Sequence, residues 1–188
     1  MQPAGQIQKK ATYSDIIALP ENMIGEIIDG ELFATPRPAI RHSNAAFVLG
    51  GRLAPPYRFG EGGPGGWIIL FENEILLGEH LLVPDFAGWR KDRFPGVPKE
   101  NWISVPPDWV CEILSPGTMR VDRIRKMPIY GRYEVPFLWL IDPEARTLEV
   151  FKLESGKWLL ASAFAEDDKV RAEPFQEIEF ALGNLWLD

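Results

Sequence analysis

Two short apolar runs in this chain each hold a single carboxylate. Asp85 lies within Leu81-Leu82-Val83-Pro84-Asp85-Phe86-Ala87, and Glu112 within Trp109-Val110-Cys111-Glu112-Ile113-Leu114. Both runs read as strands, and side chains alternate faces along a strand. Asp85 then shares a face with Val83 and Ala87, and Glu112 shares one with Val110 and Leu114. An ionised carboxylate on such a buried face is costly unless something compensates it. A divalent cation shared between the two strands is one such group. An arginine partner or a backbone cap for each carboxylate is the structural alternative.

The bulk properties leave room for either. At 188 residues the chain fits one domain, 1–188, with 1–11 expected as a flexible N-terminal tail. A composition of 46% hydrophobic and 25% charged residues is that of an ordinary globular protein. The lone cysteine, Cys111, forms no internal disulfide and suits a reducing, cytoplasmic setting. With 2 histidines and 1 cysteine, a Cys/His zinc site of the usual four ligands cannot be built. Oxygen ligands remain, and they favour magnesium, manganese or calcium. No signal-peptide core or long apolar run appears, so no membrane association is expected. The net charge of −7 argues against sequence-blind nucleic-acid binding through the overall field.

Along the chain, residues 12–19 read as a short helix stopped by Pro20. Asp29-Gly30 is a type I′ turn signal between strands at 24–28 and 31–34. Residues 39–54 have helical spacing that puts His42, Ala46, Leu49 and Leu53 on one face. Pro55 to Gly66 reads as a flexible loop. Strands are expected over 67–77 and 81–89, then a polar loop over 90–107 and a buried strand over 109–114. A helix from about Met119 should kink or restart at Pro128. Strands over 137–141, 148–153 and 158–164 follow. This order predicts an α/β domain with a mixed central β-sheet flanked by α-helices.

The motifs V-P-D-F-A-G-W, W-V-C-E-I-L-S-P, D-R-I-R-K-M-P-I-Y and V-P-F-L-W-L-I-D-P occur in that order. Together with G-E-I-I-D-G-E-L and R-H-S upstream, they resemble the Uma family of restriction endonucleases, within the PD-(D/E)xK nuclease superfamily. The resemblance covers about residues 12–153. It implies a restriction-endonuclease-like fold, a Mg2+ or Mn2+ cofactor, and hydrolysis of DNA phosphodiester bonds. It assigns Asp85 and Glu112 as metal ligands; the peptide carbonyl of Ile113 would be near enough to be a further one. The superfamily motif places a lysine two residues after the glutamate, and here that position is Leu114. The resemblance gives that task to Lys126, on the following helix. It also makes Glu26 an auxiliary acid near the metal and implies a homodimer whose two sites would address two strands.

The residues carry alternatives. Lys126 lies four after Asp122, the spacing of a surface helix pair as well as of a site. Glu26 alternates with Ile24 and Ile28, as a glutamate on a solvated strand face also does. His42 could bind phosphate or shuttle a proton, or be a hydrogen-bonded structural group. Arg120, Arg123, Arg125 and Lys126 form the most basic stretch and could contact phosphates, although such runs are commonly solvated helix faces. Tyr130 could close the site or fill the core. Glu72 and Glu74 receive no role. Two further functions stand beside the nuclease: a catalytically inactive nuclease-fold module for binding or regulation, motivated by Leu114 and the acidic charge, and a metal-free two-carboxylate glycosidase.

Overall fold

The computed structural model describes residues 10–187. A single-turn helix α1 (Tyr13–Ile17) leads in, its first turn closed by Asp15, which accepts from the Thr12 amide at 2.7 Å. Most of the expected tail, residues 1–9, lies outside the described residues. At its end the Ala11 amide donates to the Gly30 carbonyl at 2.8 Å. Strands β1 (Met23–Ile28) and β2 (Glu31–Pro36) form the hairpin, and Asp29 and Gly30 have the positive φ values, 53° and 78°, of a type I′ turn.

Helix α2 (Ile40–Leu53) buries Ala45, Ala46, Leu49 and Leu53. It continues into a π-helical turn, Ala54–Phe59, where the Pro- and Gly-rich sequence predicts a flexible loop. Burial of Pro56 and Tyr57 holds this turn in place.

Each of the two strands expected over 67–77 and 81–89 is instead a broken pair. Strand β3 (Trp67–Phe71) is separated from β4 (Glu74–Leu77) by Glu72, whose φ is 46°. Strand β5 (His80–Leu82) is separated from β6 (Phe86–Arg90) by Val83-Pro84-Asp85, where Pro84 lacks an amide to donate. Asp85 therefore sits in a bend between strands rather than within one. The Glu72 amide donates to the Asp85 carbonyl at 3.1 Å and ties the two breaks together. The loop expected over 90–107 contains a short strand, β7 (Trp102–Ile103).

Strand β8 (Trp109–Ile113) is followed by a helical crossover built from α3 (Met119–Val121), a π-helical turn Asp122–Lys126 and α4 (Met127–Arg132). Pro128 stands in the first turn of α4, where a missing amide is tolerated. The chain then forms β9 (Phe137–Asp142), β10 (Thr147–Glu154), β11 (Lys157–Ala165), β12 (Lys169–Val170) and β13 (Phe180–Ala181).

One sheet has the order β11-β10-β9-β8-β6-β3 and a second β2-β1-β5-β4-β7, while β12 and β13 pair separately. Both larger sheets are mixed: β8 runs parallel to β9, and β4 parallel to β7, among antiparallel neighbours. Parallel strands need a crossover, and the segment 119–132 supplies it between β8 and β9. Mixed sheets flanked by helices are the restriction-endonuclease-like α/β architecture.

Strand β8 is buried along its length and divides the interior. Trp109, Cys111 and Ile113 pack into one core with Leu49, Leu53, Trp67, Trp139 and Phe175. Val110 and Leu114 pack into the other with Trp89, Tyr130 and Leu138. Phe175, Phe180, Leu182 and Leu185 belong to the first core, so the C-terminal segment covers the sheet. The ring of Phe175 lies 4.8 Å from that of Trp109 and 5.6 Å from that of Trp139.

Candidate active site

Strand register places the two carboxylates side by side. Phe86 pairs with Cys111 in the antiparallel β6–β8 ladder, so the preceding Asp85 falls beside Glu112. The Ile113 amide donates to Asp85 Oδ2 at 2.6 Å, which fixes the carboxylate against the end of β8. On its other oxygen, Asp85 Oδ1 stands 3.0 Å from His42 Nε2. His42 reaches it from the first turn of α2, on the inward face that the apolar spacing predicts.

Glu112 is deeper, with 3% of its surface exposed. Its Oε1 accepts from the Tyr130 hydroxyl at 2.6 Å and lies 2.8 Å from Lys126 Nζ. The same ammonium is 2.9 Å from Glu26 Oε1 and 3.5 Å from Asp122 Oδ1. Glu26 also accepts from the Val83 amide at 2.7 Å, which links β1 to the bend that carries Asp85. The alternative of a solvated glutamate on β1 is thus excluded, since Glu26 is buried. The surface helix pair is likewise excluded, because Asp122 and Lys126 are both buried. Both lie in the π-helical turn, a wider turn of a kind often found at functional sites.

The charges respond to this packing. Burial pushes the Glu112 carboxyl well above its ordinary value; Lys126 pulls it back, and Asp122, Asp85 and Glu26 add to the rise. Burial also raises Asp122, against the pull of Lys126. For Lys126 burial acts downward, but Glu112, Glu26, Tyr130 and Asp122 outweigh it and hold the amine well above its usual range. Burial would lower His42 too, yet the hydrogen bond and charge of Asp85, with Glu72 and Asp122 behind it, raise it overall.

A cavity of about 500 Å³ joins these groups. Glu26, His42, Asp85, Glu112, Ile113 and Lys126 all line it, so six of the sequence-derived site residues meet there. Arg120 and Arg123 do not line it. Arg120 is exposed, and the Arg123 guanidinium donates to Glu149.

The structure gives a partner to Tyr130, left open between closing the site and filling the core, and adds residues that sequence reasoning leaves without a site role. Tyr130 is fully buried and holds Glu112; its motif position is a signal, but its partner is not readable. Glu72 lines the cavity from the break after β3, and burial, then Asp85, raise its carboxyl. A strand pattern hides that break. Arg37 also lines the cavity, from the segment between β2 and α2. Among the described residues, no group of three or more His, Cys, Asp or Glu side chains is poised to hold a metal ion.

The comparisons with known proteins agree with this architecture. Residues 12–183 match a family model, Uma2, described as "Putative restriction endonuclease". Among solved structures, the chain is similar to one from Anabaena variabilis described as "a putative nuclease belonging to DUF820". The two are 23% identical, over 93% of this chain and 97% of that one, with a TM-score of 0.74, a likeness that shows the fold. No curated protein matches. With its match running through both sheets, the helical crossover and the cavity, the chain belongs to the Uma2 family.

Proposed function

We propose that the chain is a magnesium- or manganese-dependent endonuclease that hydrolyses DNA phosphodiester bonds. The observation that carries this reading is the meeting of Asp85, Glu112 and Lys126 at one cavity wall, with Lys126 Nζ 2.8 Å from Glu112. The ammonium arrives from the crossover at the carboxylate that a lysine at position 114 would have neighboured. That arrangement supports an active site over an inactive binding module.

The residues fit a hard divalent cation. Asp85, Glu112 and the Ile113 carbonyl offer oxygen donors only, and magnesium commonly keeps several waters beside one or two carboxylates. The cavity is lined by the carboxylates of Glu26, Glu72, Asp85, Glu112 and Asp122 against the cations Lys126 and Arg37. Burial and mutual repulsion hold Glu112 well above its ordinary value, a strain that a bound cation would relieve. When bound, the metal would polarise a phosphodiester and offset negative charge on its phosphoryl oxygens.

The chain's own groups then divide the remaining work. Lys126 orients the attacking water beside Glu112. Glu26 and Asp122 hold its ammonium in place, and Tyr130 holds Glu112. His42 keeps Asp85 oriented and can exchange a proton at Nε2. Arg120 would contact a backbone phosphate, and Arg123 would do so only by leaving Glu149. A homodimer would present two such cavities to the two strands of a duplex. A cytoplasmic setting suits a DNA substrate. Among the described residues no helix is long and apolar enough to cross a membrane.

Calorimetric titration of manganese tests the site directly. Wild type should bind, and the Asp85→Ala, Glu112→Ala double variant should not. Equal binding by both would place the metal elsewhere and remove the basis for this reading.

A further inference from the structure

The cavity is acidic, its chain carries a net charge of −7, and a nucleic-acid backbone is an anion. A phosphate entering there needs a cation that is not already committed. The lining lysine and arginine are Lys126 and Arg37, and His42, which also lines the cavity, is held by Asp85 at 3.0 Å. Lys126 is engaged by three carboxylates, at 2.8, 2.9 and 3.5 Å. The Arg37 guanidinium makes a long hydrogen bond to the Glu21 carbonyl, 3.4 Å, and among the described residues forms no ion pair with a carboxylate. It nevertheless lines the cavity, on a wall shared with Glu72, His42 and Asp85.

The backbone beneath Arg37 is preorganised. Pro36 and Pro38 flank it, and a following proline confines a residue to extended conformations. The Arg37 amide donates to the Asn22 carbonyl at 3.1 Å, while Pro36 pairs with Met23 in the hairpin. Ala34 to Ala39 form one wall of the cavity as this rigid strap. A side chain on a fixed backbone loses less freedom on binding, so more of its interaction appears as affinity. The planar guanidinium also matches a phosphate with two parallel donors, which a lysine cannot reproduce.

We propose that Arg37 forms a phosphate-binding subsite at this cavity, taking one phosphodiester of a DNA backbone in its guanidinium fork. The subsite rests on the nuclease reading and adds to it the group that admits an anion to an acidic site.

The test is fluorescence anisotropy with a short fluorescein-labelled DNA duplex, in protein carrying Asp85→Asn so that the probe stays intact. Arg37→Ala in this background should weaken binding by about tenfold. It should also reduce the slope of log affinity against log salt by about 1, the loss of one phosphate contact. Arg37→Lys should restore the slope but only part of the affinity. Arg37 is exposed, so both variants should melt with the parent. If Arg37→Ala bound with the parent's affinity and slope, the subsite would be overturned and the nuclease reading would stand. If the parent itself failed to bind the duplex at low salt, the subsite and the nuclease reading would fall together.

Discussion

At the residue scale, Lys126 balances a group of acids that could not otherwise share one interior. Replacing it with alanine leaves Glu112 and Asp122 buried without their cation. Breaking a buried pair in this way typically costs about 3–5 kcal/mol, lowered here to the extent that the carboxyls take up protons. Lys126→Ala should therefore lose about 3 kcal/mol in urea unfolding, and its cleavage activity with it. Tyr130→Phe removes a hydroxyl that donates to Glu112 at 2.6 Å. Hydrogen bonds to charged groups are worth about 1.5–3 kcal/mol, so a loss near 2 kcal/mol is expected by the same measurement. The sequence announces Asp85 and Glu112 because carboxylates in apolar runs stand out, and Lys126 because the family motif supplies it. It leaves Tyr130 open between site and core, and it does not announce Glu72. A tyrosine on an apolar helix face looks like core until its hydroxyl partner is seen, and Glu72 looks like any polar residue in a strand.

At the element scale, the site depends on breaks in elements that a periodic pattern makes continuous. The chain leaves one sheet at Glu72 and rejoins it at Asp85, so both residues are turned toward the cavity. The local signal, Pro84, is present, but alternation alone cannot say that β5 and β6 belong to different sheets. The π-helical turn at Asp122–Lys126 is equally silent, because its widening depends on inward packing rather than on composition. By contrast, the Asp29-Gly30 hairpin and the β9–β11 meander follow from local turn chemistry and are readable. Gly88 tests how firmly β6 is seated. A Cβ there would meet Trp109 and Trp67 at 3.2 Å, so Gly88→Ala should overpack the strand between two buried indoles. A loss of about 1–3 kcal/mol is expected, read as a lower urea midpoint at unchanged slope.

At the scale of the whole molecule, burial of titratable groups ties stability to pH. Burial, then Glu177, raises the Tyr57 phenol above its ordinary value of 10.0. Burial also raises Tyr13. A raised folded-state value means that the native protein holds these protons more tightly than the unfolded chain. Their contribution is complete below about pH 10 and is lost as pH rises beyond it. The Tm should therefore fall between pH 9 and pH 11, and Tyr57→Phe should fall less steeply over that interval even if it begins lower. The remaining whole-molecule property is the use of the acidic cavity. Cleavage of supercoiled plasmid DNA with magnesium or manganese tests it most directly, comparing wild type with Asp85→Asn and adding excess EDTA as a second arm. Nicked and linear products are expected from wild type with metal, and none from Asp85→Asn or in EDTA. Cleavage at the wild-type rate by a folded Asp85→Asn protein would contradict it.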